Sequence, residues 1–125
     1  VALLAATSSA QEKPMSFVGK TLVLRYESGL EVKARYKSAT ELEWEALAGP
    51  AKGRKGTETI ASVPVAPDVF FISWLEKEGT SVSNVLDLHT KRVFAFVTFG
   101  TDAGRKSFFD RGTVEVQPDD TRLIP

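Results

Sequence analysis

Val69-Phe-Phe-Ile-Ser-Trp-Leu-Glu-Lys-Glu-Gly-Thr-Ser-Val-Ser-Asn-Val-Leu-Asp87 decides the fold. Two strand-like runs meet at Glu76-Lys-Glu-Gly79, a short polar break containing glycine, so the stretch predicts a β-hairpin. Side chains alternate faces along a strand, which sets Phe70, Ile72, Trp74 and Glu76 on one side. Phe70, Ile72 and Trp74 are large and apolar, so this is the side that is buried. The fourth position is a carboxylate. Held against Trp74 and Ile72, the Glu76 anion is poorly solvated, its pKa rises and the group can donate a proton. At the strand end, beside the turn, it instead reaches water as an ordinary surface acid. Spacing alone leaves both readings open.

The alternation continues on either side of the hairpin. Thr21–Tyr26 reads as a strand with Leu22, Leu24 and Tyr26 on one face. Glu27-Ser-Gly29 turns the chain into Leu30–Tyr36, where Glu31, Lys33 and Arg35 alternate with apolar residues. After the turn at Lys37–Thr40, Glu41–Ala46 repeats the pattern with Leu42 and Trp44 inward. Tight turns make these runs antiparallel neighbours. Gly49-Pro-Ala-Lys-Gly-Arg-Lys-Gly56 is a loop without the Gly-Lys-Ser/Thr ending and following helix of a phosphate-binding loop. One further strand is predicted over Thr57–Val63, ended by Pro64 and Pro67.

Beyond the hairpin, His89-Thr-Lys91 is a turn and Arg92–Phe99 a strand apolar on both faces. Such a strand is covered on both sides, here by the N-terminal segment or by a second subunit, which raises the expectation of a homodimer. Thr101-Asp-Ala-Gly104 reads as a loop, and Ser107–Val116 closes the domain with Gly112 at a bend. About eight antiparallel strands and no amphipathic helix predict an all-β, up-and-down barrel of calycin or lipocalin type over residues 17–125. Closure removes sheet edges and leaves room for one small ligand. Inward Tyr26, Tyr36, Trp44, Phe70 and Trp74 line such a cavity or fill it as plain core. Phe17-Val-Gly19 is an N-terminal turn that plugs or flanks the barrel.

Bulk properties narrow the function. At 125 residues the chain holds one domain. Sixteen basic and sixteen acidic residues cancel, so no long-range field draws nucleic acid or an anionic membrane. Without cysteine, thiol catalysis, disulfides and cysteine-ligated zinc are excluded. His89 is the only histidine, which excludes a multi-histidine metal site, and neither a metal nor a cofactor is expected. Val1-Ala-Leu-Leu-Ala-Ala6, followed by small residues at Ser8 and Ala10, reads as the tail of a signal peptide over residues 1–10. Residues 11–16 are then a linker, and the expected location is periplasmic or secreted. The apolar run is too short to cross a bilayer, so membrane insertion is not expected.

Phe17-Val-Gly, Tyr26-Glu-Ser-Gly-Leu-Glu, Gly53-Arg54 and Ile72-Ser-Trp-Leu-Glu-Lys-Glu-Gly-Thr-Ser-Val82 occur in an order that resembles the phenolic acid decarboxylases and the related MoaF-type small barrels. The likeness runs from about Phe17 to Phe99, and its most specific part is Ile-Ser-Trp-x-Glu-x-x-Gly-Thr-x-Val. It implies a calycin-like barrel holding a substrate such as a hydroxycinnamic acid, with a dimer as in the decarboxylases. It further implies chemistry by Glu76 and Arg54, with Tyr26 holding a polar end of the substrate. The chain departs from that pattern where a second tyrosine falls at Leu24 and a common tryptophan at Lys55. The first expectation is therefore a barrel that binds a partly aromatic or carboxylate-bearing small molecule through Tyr26, Arg54 and Glu76. Trp74, Trp44, Tyr36, Ile72 and Phe70 form its walls. The second is a cofactor-free lyase or isomerase with Glu76 as general acid/base. The third is an interaction module whose barrel is filled by its own side chains.

Overall fold

The computed structural model describes residues 15–118. Nine strands follow one another: β1 Thr21–Tyr26, β2 Glu31–Tyr36, β3 Glu41–Ala48, β4 Lys55–Thr59, β5 Ala61–Ala66, β6 Val69–Leu75, β7 Ser81–Asp87, β8 Arg92–Thr101 and β9 Gly104–Val116. Each pairs antiparallel with its neighbours in one sheet of order β4-β3-β2-β1-β9-β8-β7-β6-β5. Pairing of β1 with β9 leaves only β4 and β5 as edges. These edges are consecutive in the chain and β4 also approaches β6, so the sheet curls into a nearly closed barrel. The all-β barrel read from the sequence is the fold observed. The expected signal remnant, residues 1–10, lies outside the described residues, as do residues 11–14 of the linker.

The strand count differs from about eight for one reason. The single strand expected over Thr57–Val63 is two, divided at Ile60. Ile60 is buried in the core and its N–H donates to the Thr40 carbonyl at 2.9 Å. Anchored there, the chain leaves one edge of the sheet and begins the other. Pro64 does not end a strand; it sits within β5, paired to Phe70. An edge strand tolerates proline because its outward N–H has no ladder partner to lose. Pro67 and Asp68 make the turn that follows, with Asp68 at φ 60°. The loop expected at Thr101–Gly104 shrinks to Asp102 and Ala103, because β8 and β9 stay paired as far as Thr101 and Gly104.

Phe17 organises the core. It is fully buried, with its ring edge-on to Tyr36 at 5.1 Å and to Phe70 at 5.0 Å. Turn bonds from Val18 N–H to the Met15 carbonyl (3.0 Å) and from Lys20 N–H to the Phe17 carbonyl (3.1 Å) hold it as a plug. Leu22, Leu42, Ile72, Leu86 and Val93 pack around it. Burying one phenyl ring contributes about 2–3 kcal/mol. Gly112 lies inside continuous β9, opposite Tyr26. A Cβ there would collide with the Arg25 carbonyl oxygen, so close approach of β1 and β9 requires glycine. On β8, Val93 and Ala95 are buried whereas Phe94 faces solvent, and among the described residues no segment covers that outer face.

Candidate functional site

A cavity of about 310 Å³ occupies the barrel on the far side of Tyr36 from the Phe17 plug. Tyr26, Tyr36, Trp44, Arg54, Trp74 and Glu76 all line it. Phe70 and Ile72 do not. They share the inward face of β6 with Trp74, but that end of the barrel is filled by Phe17, and both are core. Leu24 also lines the cavity and offers it no hydroxyl.

The hairpin between β6 and β7 presents Glu76. Glu76 N–H donates to the Thr80 carbonyl at 2.7 Å, and Gly79 N–H donates to the Glu76 carbonyl at 2.9 Å. Gly79 stands at φ 105°, in the left-handed region where glycine carries no Cβ strain. The Trp74 indole N–H donates to Glu76 Oε2 at 3.1 Å. Burial raises the Glu76 pKa above the ordinary carboxyl value, the Trp74 bond opposes this, and the Glu58 and Glu78 charges add to the rise. Of the two sequence readings, the partly desolvated acid describes this geometry better than a freely hydrated one.

Trp44 is held in a parallel way: its indole N–H donates to Glu58 Oε2 at 2.8 Å. Gly56, its neighbour on β4, leaves space for the ring, since a Cβ there would lie 3.1 Å from the indole nitrogen. The β3–β4 loop brings Arg54 to the cavity through backbone bonds from Gly53 N–H to the Ala46 carbonyl (2.9 Å) and from Ala46 N–H to the Arg54 carbonyl (2.8 Å). Arg54 is exposed and makes no ion pair among the described residues. Glu78, held below the ordinary carboxylate value chiefly by a Thr80 hydrogen bond, receives a smaller contribution from the Arg54 charge.

Deeper in, burial pushes both tyrosine hydroxyls far above their ordinary pKa, and at Tyr26 the neighbouring Tyr36 and Asp110 add to the effect. Both remain neutral phenols at any physiological pH. Asn84, Glu78 and Asp110 line the cavity without having been singled out in the sequence. Asn84 follows from the β7 phase, in which Val82, Asn84 and Leu86 point inward together. A polar residue at an inward position was the available signal. The assembled site is a largely apolar chamber bearing neutral hydroxyls, one amide, three carboxyl groups (Glu76, Glu78 and Asp110) and one cation, Arg54, without an ion-pair partner among the described residues.

A family model described as MoaF-like matches residues 18–113. A "probable phenolic acid decarboxylase" of Vibrio cholerae is 29% identical over 84 residues, covering 66% of this chain and 48% of that protein. The chain thus spans about half the length of this curated relative. A crystal structure from Burkholderia vietnamiensis, described as a "putative beta-lactamase", superposes with a TM-score of 0.76 at 23% identity, covering 85% of this chain and all of that one. At that identity the likeness shows the fold alone. Two such different descriptions on one barrel leave function to be argued from the site.

Proposed function

The chain belongs to the MoaF-like family, and we propose that it works as a small-molecule-binding barrel. Its ligand is partly aromatic and carries a carboxylate. The observation that supports this reading is the cavity, about 310 Å³ of open space between apolar walls with Arg54 free of an ion-pair partner among the described residues. Ligand pockets begin near roughly 300 Å³, so the space suits a single-ring compound and not a nucleotide. A barrel serving only as a structural module has no reason to keep such a void, because empty core space destabilises. In the proposed complex the ring lies between Trp44 and Trp74, and Arg54 takes the carboxylate through a charge-assisted bond. Glu76, when protonated, donates to the same carboxylate, and the neutral Tyr26 hydroxyl donates to a further oxygen.

Titration calorimetry with p-coumaric and ferulic acids tests this. Binding is expected in wild type and about tenfold weaker in Arg54→Ala, the loss that accompanies one charge-assisted bond. Absence of heat with both acids, in folded protein, overturns the reading.

A second reading is kept because Glu76 combines a raised pKa with a fixed position beside Trp74, and because the Vibrio cholerae relative is described as a decarboxylase. In that reading Glu76 transfers its proton to the substrate carbon bearing the carboxyl group. The carbon–carboxyl bond then breaks, its electron pair returns to the substrate, carbon dioxide leaves and solvent reprotonates Glu76. Leu24 in place of the second tyrosine weighs against it. Loss of the acids' ultraviolet absorbance in wild type but not in Glu76→Gln would put the lyase first; constant absorbance in both leaves the binder.

A further inference from the structure

A ligand that brings only a carboxylate does not match the charge of the chamber. Arg54 is the one cation in its lining, against Glu76, Glu78 and Asp110. Glu76 holds its proton beyond the ordinary carboxyl range, and Glu78 already feels the Arg54 charge. Asp110 stands apart from them. Its strand, β9, is three strands from β3 in one direction and three from β6 in the other, which sets it across the chamber from Arg54 and Glu76. Asp110 is half-buried and has no basic side-chain partner among the described residues. The Ser28 hydroxyl donates to its Oδ2 and the Arg111 backbone N–H to its Oδ1. A carboxylate accepts about four hydrogen bonds, so lone pairs remain for a ligand. Tyr26 lines the same wall close enough for its hydroxyl to feel the Asp110 charge. Phe108, two positions before Asp110 on the same face of β9, completes it.

We propose that Asp110, with Tyr26 and Phe108, forms a cation subsite across the chamber from Arg54, and that the ligand carries an ammonium group as well as its carboxylate. The chemistry of the wall selects that group. An ionised carboxylate only accepts, so the ligand must bring a donor, and a positively charged donor also offsets the Asp110 charge in apolar surroundings. The Tyr26 hydroxyl oxygen accepts a second N–H, and the Tyr26 and Phe108 rings attract a cation through their faces. A second carboxylate would be repelled. A hard metal ion needs more oxygens than this wall offers, and no group of three acidic or histidine side chains fit for a metal gathers among the described residues. The inference rests on the binding reading and names the ligand's other end: carboxylate toward Arg54, ring between the tryptophans, ammonium toward Asp110.

Calorimetry with two pairs of probes tests it. In wild type, 4-(2-aminoethyl)benzoic acid should bind about tenfold more tightly than 4-ethylbenzoic acid, which lacks the ammonium. The amine 2-phenylethylamine should exceed its neutral isostere 2-phenylethanol by a similar factor, which separates charge from simple hydrogen bonding. Asp110→Asn keeps an acceptor for the Ser28 hydroxyl but removes the charge. It should abolish both preferences while 4-ethylbenzoic acid binds at least as tightly as to wild type. A readout without any variant is the Arg111 amide resonance, which should shift when 2-phenylethylamine is added, because that N–H bonds to Asp110. No preference for either amine in wild type, an unmoved Arg111 resonance, or a preference that survives Asp110→Asn overturns the subsite and leaves the carboxylate reading intact. Should 4-ethylbenzoic acid fail to bind while 2-phenylethylamine exceeds 2-phenylethanol in an Asp110-dependent way, the carboxylate reading falls and the subsite stands.

Discussion

Glu76 and Asn84 are both polar residues placed on inward-facing positions, and both cost stability, Glu76 in a pH-dependent way and Asn84 at every pH. Burial gives native Glu76 a pKa above its unfolded value, so the native state holds that proton more tightly. Below the unfolded pKa both states are protonated and the residue costs nothing. As pH rises through the window between the unfolded and the raised native value, the unfolded state ionises first and stability falls. Glu76→Gln stays neutral throughout. Melting curves from roughly pH 3 to 8 should therefore nearly coincide with wild type at the acid end, with the variant pulling ahead as pH rises. Parallel curves would mean a hydrated strand-end acid. Asn84→Leu should stabilise the ligand-free protein by about 1–2 kcal/mol at all pH values, since it deletes an acceptor, Asn84 Oδ1, that is buried without a hydrogen-bond partner among the described residues and does not titrate. Period-two spacing made Trp74 and Glu76 legible as a pair. The same spacing places Asn84 inward, but nothing in the sequence says that its amide oxygen lacks a donor; that depends on which neighbours the barrel brings to β7.

At the scale of elements, the hairpins were legible and the places where the chain changes course were not. Glu76–Gly79 and Glu27–Gly29 carry their turn chemistry locally, in glycines at φ 105° and 101°. The division at Ile60 has no local mark, because its cause is a bond to Thr40 and burial among residues distant in sequence. Phe70 and Ile72 were read correctly as inward, yet whether an inward residue meets a ligand or a plug depends on where Phe17 docks. Gly112 shows how firmly β1 and β9 depend on one another. A methyl group there meets the Arg25 carbonyl carbon at 2.6 Å as well as its oxygen, and both are backbone atoms that cannot rotate away. Gly112→Ala should cost about 2–4 kcal/mol in urea unfolding, through displacement of the strand pair. Gly100→Ala is the control: the nearest atom to a Cβ there is the Arg105 guanidinium at 3.9 Å, and stability should change by less than about 0.5 kcal/mol. Equal effects at the two positions would refute the close-approach argument.

At the scale of the molecule, β8 and β9 serve two surfaces at once. Their inward side chains, Ala95, Val97, Phe108 and Asp110, line the cavity. Outward, Phe94 is exposed, and Phe96 stacks against the largely exposed Phe109 at 4.7 Å. Strand register extends this outer face: Val63 pairs with Phe71, Phe71 with Val85, and Val85 with Phe94, a continuous apolar row from β5 to β8. We propose that a second copy of the chain packs on this face, as the resemblance to the decarboxylases implies. Pro64, within the β5 edge, disfavours association by strand addition, which leaves face-to-face packing. A two-fold interface would bring the row onto its own symmetry mate, burying the same residues on both sides. Sedimentation velocity should then show a dimer in wild type and a monomer in the double variant Phe71→Glu, Phe109→Ser, with the cavity chemistry of the two retained because no inward residue is altered. Wild type sedimenting only as a monomer would remove the second copy and leave the outer aromatic row without an assigned partner. A dimer that survives the double variant would place the interface elsewhere on the barrel.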